Sequence, residues 1–288
     1  MKKGITVFLS FAIVFLFSVQ VNACTLFAAT GDEWVQGGGS LIAKNRDEKP
    51  SKQYVKVVSP DNGYRYFGLF VDSNNGELRG GINEKGLVVI CSSASTLAAD
   101  VKTEDQKNRF RSDYGVTDEY IISKCATVKD ALALDKSIWA GAQNIMLADK
   151  DEIACVEIGP DGSIAVKETM NGTLNHTNHY VYEDMVWANV KPYPESVTRY
   201  ERSGQLLAET SHPFIMEDFI AFCNDKNAGV HDSIYRDGEN NSSQTLATMV
   251  YDLPKIGTAS VYMKVRENPE DKGKEKVYRY SLDEIFKK

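Results

Sequence analysis

Strand-like patterning dominates the chain from residue 24 onward. Short apolar or alternating runs at 25–29, 40–45, 53–58, 64–71, 77–82 and 87–91 are separated by polar, glycine-containing breaks, as expected of successive strands and turns. The segment 31–39 holds Gly37-Gly38-Gly39, so the first two runs predict a hairpin that returns Asn45, Arg46 and Asp47 towards Cys24. Helical spacing replaces alternation at 118–124 and 128–134, with Thr127 as N-cap of the second helix. Strands are expected again at 144–148, 153–158 and 163–168, with turns at 149–151 and 160–162, followed by an extended piece at 175–182. Pro194 opens a helix over 195–210, on which Ser196, Arg199 and Arg202 share a face. Pro213 opens another, through Phe222. The polar stretch 99–116 reads as a surface loop or short helix, and 225–243 as a long loop. Strands at 246–251, 259–265 and 276–280 close the chain. Two groups of strands with helices between them predict a single layered α+β domain over residues 24–288.

The first 23 residues follow a different pattern. Lys2 and Lys3 precede a 13-residue run, 5–17, that is dominated by apolar side chains and interrupted at Ser10. Val21 and Ala23 then occupy the −3 and −1 positions of a cut before Cys24. This is the arrangement of a cleaved secretory signal peptide, residues 1–23, and the run is shorter than the ~20 residues that span a bilayer. The expected product is exported, periplasmic or extracellular, with signal peptidase as its maturation partner. Lipoprotein processing, which also leaves a cysteine first, is the alternative. It would acylate the amine, modify the sulfur and anchor the chain to a membrane, although Asn22 at −2 fits a lipobox poorly.

The cut leaves 265 residues and moves the formal charge from −7 to −9. That balance leaves no basic footprint for nucleic acid. A 42% hydrophobic content supports a sizeable core. The cysteines (Cys24, Cys91, Cys125, Cys155 and Cys223) match no zinc spacing, so no metal is expected. Four of them lie in apolar stretches, where a thiol behaves as a small hydrophobe. Their disulfide state stays open. The odd count leaves Cys24 as the candidate free thiol.

A chain that begins with cysteine carries a thiol and an α-amine on one carbon. Only a small fraction of an ordinary thiol is ionised at neutral pH, and a base within hydrogen-bond reach is needed to activate it. An α-amine titrates at about 7.7–8.0, so Cys24 would supply both nucleophile and base. Asp47, returned by the hairpin, is the candidate to hold the amine. His179 is read as structural, because this arrangement needs no histidine. No cofactor is required; the partner is a small-molecule amide substrate.

Several stretches resemble one family, in its order and across nearly the whole of residues 24–288. They are Cys24-Thr25, Lys44-Asn45-Arg46-Asp47, the turn Asn83-Glu84-Lys85-Gly86-Leu87, His176-Thr177-Asn178-His179 and Ser196-Val197-Thr198-Arg199-Tyr200. The segments 144–157 and 245–250 are also similar. The sequence resembles the acyl-coenzyme A:6-aminopenicillanic acid acyltransferase family (peptidase C45 type) and, more distantly, choloylglycine hydrolases and penicillin V acylases. The resemblance implies a four-layer αββα N-terminal-nucleophile hydrolase sandwich. It also implies cleavage of linear non-peptide carbon–nitrogen amide bonds, or acyl transfer through the same thioester, and a possible homo-oligomer. It makes Cys24 the nucleophile, Asp47 its orienting carboxylate, Asn178 a side-chain oxyanion donor and Arg199 the supporting arginine. Lys44 stands where the bile-salt branch has arginine, with Arg46 as a substitute. Ser93 or its neighbour aligns with that branch's other oxyanion asparagine. Lys44, Arg46 and Ser93 are thus candidate substrate-binding positions, and the second oxyanion donor is unassigned.

Overall fold

Residues 23–72, 76–98, 101, 116–238 and 242–287 are described by the computed structural model. The expected leader, residues 1–22, and most of the polar segment 99–116 lie outside the described residues. Among the described residues thirteen strands form two antiparallel sheets. The six-stranded sheet has the order β10 (Gly172–His176), β1 (Ala23–Thr30), β2 (Ser40–Glu48), β11 (Gln244–Leu253), β12 (Ser260–Val265) and β13 (Lys276–Ser281). The seven-stranded sheet is a meander: β3 (Gln53–Val58), β4 (Tyr66–Val71), β5 (Leu78–Asn83), β6 (Val88–Ser93), β7 (Gln143–Ala148), β8 (Ile153–Ile158) and β9 (Ile164–Thr169).

Side chains alternate across a strand, and each sheet is apolar on both faces. From the six-stranded sheet, Leu26, Ile42, Met249 and Met263 meet Phe67, Ile82, Ile90 and Met146 of the other sheet in the central core. The opposite parity, Phe27, Ala29, Leu41, Ala43 and Val250, packs under Leu207 of α3 (Pro194–Glu209) and Phe219 and Phe222 of α4 (Met216–Cys223). On the other outside face, Phe70, Val89 and Leu147 pack under α1 (Thr117–Lys124) and α2 (Val128–Leu132). The layers are therefore helix, sheet, sheet, helix. The described residues contain no helix long and apolar enough to cross a membrane.

The predicted hairpin forms. Its register sets Asp47 opposite Ala23 and Arg46 opposite Cys24. Its turn needs glycine: Gly39 has φ +94, and a Cβ there would lie 2.2 Å from the Leu253 carbonyl. The turn at 83–87 is tied to α1 by the buried Asn83. Its Nδ2 donates to Ile122 O and Cys125 O, while its Oδ1 accepts from Lys85 N and Leu87 N. Thr127 caps α2 as expected, in a reciprocal pair with Asp130.

Three expectations need correction. The extended piece expected at 175–182 is a strand only through His176. Thr177 leaves the ladder because its hydroxyl bonds Ser196 O at 2.9 Å, on α3 rather than on a strand. Pro213 does not open α4: Phe214 N donates to Trp34 O and Phe214 O accepts from Gln36 N, which requires extended backbone there. The helix starts at Met216 instead. The segment 225–243 contains one short helix, α5 (Gly229–Asp232), and residues 239–241 lie outside the described residues. A last turn, α6 (Leu282–Ile285), follows β13 under a Ser281–Glu284 capping box that the strand reading of 276–280 passed over.

Candidate active site

Cys24 is the second residue of β1, an interior strand flanked by β10 and β2. By parity its side chain shares the inner face with Leu26, Lys44 and Arg46. All five cysteines are free thiols, and all are buried. Burial pushes the Cys125 thiol up to about 11 and Cys155 to about 12, and raises Cys223 further. These three are thiols in apolar surroundings, too weakly acidic to compete as nucleophiles.

Asn178, just beyond β10, and Arg199 of α3 converge on the Cys24 backbone. Its nitrogen donates to Asn178 Oδ1 at 2.8 Å. Its carbonyl accepts from Arg199 Nη1 at 2.7 Å, and the same nitrogen reaches Thr25 Oγ1 at 2.9 Å. Arg199 Nη2 also donates to Asn178 Oδ1, at 3.2 Å. Asn178 Nδ2 donates to the Ser93 carbonyl at 2.9 Å. Arg199 is 0% exposed, so it is no helix-surface residue. A guanidinium in that position is costly unless charges and acceptors surround it. Burial lowers its pKa, while Asp47 opposes the shift.

Asp47 is also fully buried. Thr245 Oγ1 donates to its Oδ1 at 2.7 Å, while Oδ2 has no hydrogen-bond partner among the described residues. Desolvation raises the Asp47 pKa against the pull of Arg199, Arg236, the Thr245 bond and Arg46. A buried carboxylate with a free oxygen is therefore held one rung along the ladder from Cys24, opposite Ala23.

The candidate substrate-binding residues occupy different places. Arg46 is buried, donates to Gln53 Oε1 at 3.0 Å and lies 3.9 Å from Glu48. Burial, and then the charge of Arg79, lower its pKa to about 10. Lys44 turns its ammonium to the opposite sheet, towards Arg79 O and, at 4.0 Å, Cys91 Sγ. Ser93 meets the network through its backbone carbonyl rather than its hydroxyl. Among the described residues no group of three or more His, Cys, Asp or Glu is placed to hold a metal ion.

His179 lies beside the network. Its Nδ1 is 2.8 Å from Ser196 Oγ. Burial, His176 and Arg199 lower its pKa to about 4. An unfolded histidine titrates near 6.5, so between these values the unfolded chain binds more protons. This group therefore takes stability away as pH falls from about 6.5 towards about 4. His179→Asn retains an acceptor for Ser196 and should flatten that part of the melting temperature against pH curve. An unchanged slope would count against a buried neutral His179.

Sequence reasoning missed the residues that hold these groups in place. Thr25 and Thr245 were inside quoted motifs but carried no role. Ser196 is a hub, accepting from Asn178 N at 3.1 Å and lying 3.0 Å from Thr177 Oγ1. Arg236 had no signal, because only the fold brings it near Asp47.

Two helix-covered antiparallel sheets, with a cysteine at the start of an interior strand, define the N-terminal-nucleophile hydrolase fold. Solved structures share it. A penicillin V acylase from Agrobacterium tumefaciens is similar at TM-score 0.55 and 16% identity, covering 90% of this chain and 86% of its own. An N-acylethanolamine-hydrolyzing acid amidase ortholog from Caenorhabditis elegans is similar at 0.56 and 13%, covering 81% and 94%. A variant of the conjugated bile acid hydrolase of Clostridium perfringens is similar at 0.59 and 13%, covering 91% and 93%. No curated protein matches. The family model described as acyl-coenzyme A:6-aminopenicillanic acid acyl-transferase matches residues 34–267, and the chain belongs to that family. It is thus a hydrolase or acyltransferase of this fold. The match starts beyond Cys24, so the role of that residue rests on its surroundings.

Proposed function

We propose that this protein is an exported amide hydrolase whose nucleophile and base are both Cys24, created by removal of residues 1–23. The observation that carries the reading is the set of groups gathered around the Cys24 nitrogen: an acceptor at 2.8 Å and, across the neighbouring rung, a buried carboxylate with an unpartnered oxygen. With Ala23 attached that nitrogen is an amide with one hydrogen. Once cut, it becomes an amine with hydrogens for Asn178 Oδ1 and Asp47 and, when neutral, a lone pair for the thiol proton.

The reaction then has two halves. The amine takes the thiol proton, and sulfur attacks the substrate carbonyl. The oxyanion that forms needs donors placed in advance. Asn178 Nδ2 has a second hydrogen beyond the one given to Ser93 O, and this is the proposed donor. Collapse breaks the carbon–nitrogen bond as the ammonium returns its proton to the leaving amine. Water, deprotonated by the same amine, then releases the acid from the Cys24 thioester. An acceptor amine in place of water would give acyl transfer. Hydrolysis is preferred because few exported settings offer an acyl-coenzyme A.

Lys44 and Arg46 on the Cys24 face, and the Ser93 backbone, are the proposed contacts to substrate. The test is to purify exported protein, measure its intact mass and assay it against acylated amino acids, penicillin V, bile-salt conjugates and acyl-homoserine lactones. A mass starting at unmodified Cys24, together with release of a free amine from one class, is expected. A chain starting at Ala23 or earlier, or a lipid on Cys24, would remove the mechanism.

A further inference from the structure

Glu157 and His176 have no part in the chemistry above. Both are fully buried, and they sit in different sheets, on β8 and at the end of β10. His176 Nε2 lies 2.7 Å from Glu157 Oε1, and Nδ1 lies 3.0 Å from the Thr177 carbonyl. Glu157 Oε1 also accepts from Val181 N at 2.6 Å. Tyr182 N lies 3.3 Å from each of the two carboxylate oxygens. One carboxylate therefore holds both ends of the segment 177–180, whose second residue is Asn178.

The peptide between Thr177 and Asn178 is held from several sides. Its carbonyl faces His176 Nδ1, Ser92 Oγ and, at 3.2 Å, Asn144 Nδ2. Its N–H donates to Ser196 Oγ at 3.1 Å. Burying a carboxylate and an imidazole together gives little stability beyond what apolar residues of similar size would give. A positional role explains why polar groups occupy the site.

We infer that Glu157 and His176 are a positioning pair, which sets Asn178 against the Cys24 nitrogen by bridging the two sheets beneath it. The inference rests on the reading of Cys24 as the nucleophile. The pair acts through Asn178 and does not touch the reacting atoms. A displacement of about 1 Å at a positioned group can cost on the order of a hundredfold in rate.

Glu157→Gln keeps the volume, removes the charge and sets an amide N–H against that of Tyr182. In the chain beginning at Cys24 it should lower kcat by about tenfold or more and change KM by less than roughly threefold, as expected for a group that acts on the chemical step. A second variant replaces both partners with apolar residues, Glu157→Leu with His176→Phe. It tests the same point in a core that needs no polar partners, and it should fold while losing kcat. Each variant is combined with Asn178→Ala. If the pair works through Asn178, the losses overlap and the combination is little worse than Asn178→Ala alone.

The same cycle is read in the rate of Cys24 alkylation by iodoacetamide, which needs no substrate. Turnover by wild type with losses that multiply, or with kcat unchanged in folded variants, would overturn the positioning role. Absence of turnover in wild type would overturn the hydrolase reading instead, and the alkylation cycle would then decide the pair's influence on Cys24.

Discussion

Cys24→Ala, in a chain that begins at residue 24, is expected to lower kcat by at least about 10⁴-fold, the scale seen when a nucleophile is removed from a group of residues that act together. The fold should survive. The bonds that fix this residue run through its backbone: its nitrogen to Asn178, its carbonyl to Arg199. Alanine keeps both. The melting temperature should therefore move little while turnover vanishes, and intact mass after incubation with substrate should show no acyl adduct. Cys24→Ser keeps the amine but presents a far weaker acid to it, so it should also lose most turnover. Activity of the alanine variant within about tenfold of wild type would end the assignment.

Retention of one residue should be nearly as damaging. A chain that begins at Ala23 keeps the thiol and every side chain, and differs only at the Cys24 nitrogen. An amide nitrogen has no available lone pair, so the internal base is gone. General-base assistance is worth typically 10²–10⁴-fold, and a loss in that range is expected. The comparison has a second arm at Asp47. With Ala23 present, the Asp47 Oδ2 is buried and has no partner among the described residues, and desolvation raises the pKa of the carboxyl. Asp47→Asn should then cost less stability than in the chain beginning at Cys24. In the chain beginning at Cys24, the proposed ammonium–Asp47 contact would favour the ionised carboxylate. The same substitution should now reduce both stability and turnover. Chemical denaturation of the four proteins reads the difference directly. Equal effects of Asp47→Asn in both backgrounds would mean that Asp47 does not hold the amine.

The central strands were legible because their faces are covered on both sides and their apolar runs are unbroken; the run 153–158 coincides with β8 to the residue. The run 53–58 coincides with the part-exposed edge strand β3, where alternation gave the signal. Cys24 and Asp47 could be linked from sequence because a hairpin is a local object: the glycine turn fixes the register, and the register fixes the neighbours. Asn178 and Arg199 needed the family resemblance, since contacts across more than a hundred residues leave no periodic trace. Where the chain breaks its pattern, side-chain bonds are responsible. Thr177 leaves its sheet for Ser196, and Phe214 delays a helix in order to pair with the 34–36 backbone. The bond from the Lys44 ammonium to the Arg79 carbonyl in the opposite sheet is another contact that no local pattern announces. Glu157 stood in a quoted motif, but nothing local reveals that its carboxylate closes a loop from another sheet.

The place of β1 between β10 and β2 has a practical consequence for anyone handling this protein. On the proposed maturation the first residue would be Cys24, near the start of this interior strand, with Asn178 and Arg199 against its backbone. An affinity tag, a fluorescent fusion or a leftover methionine at that end would occupy the ground that the amine needs. The carboxyl end follows β13, an edge strand whose residues are exposed or half-buried throughout, and the turn α6, with Phe286 the last residue packed on the core. Purification handles and immobilisation chemistry therefore belong at the carboxyl end.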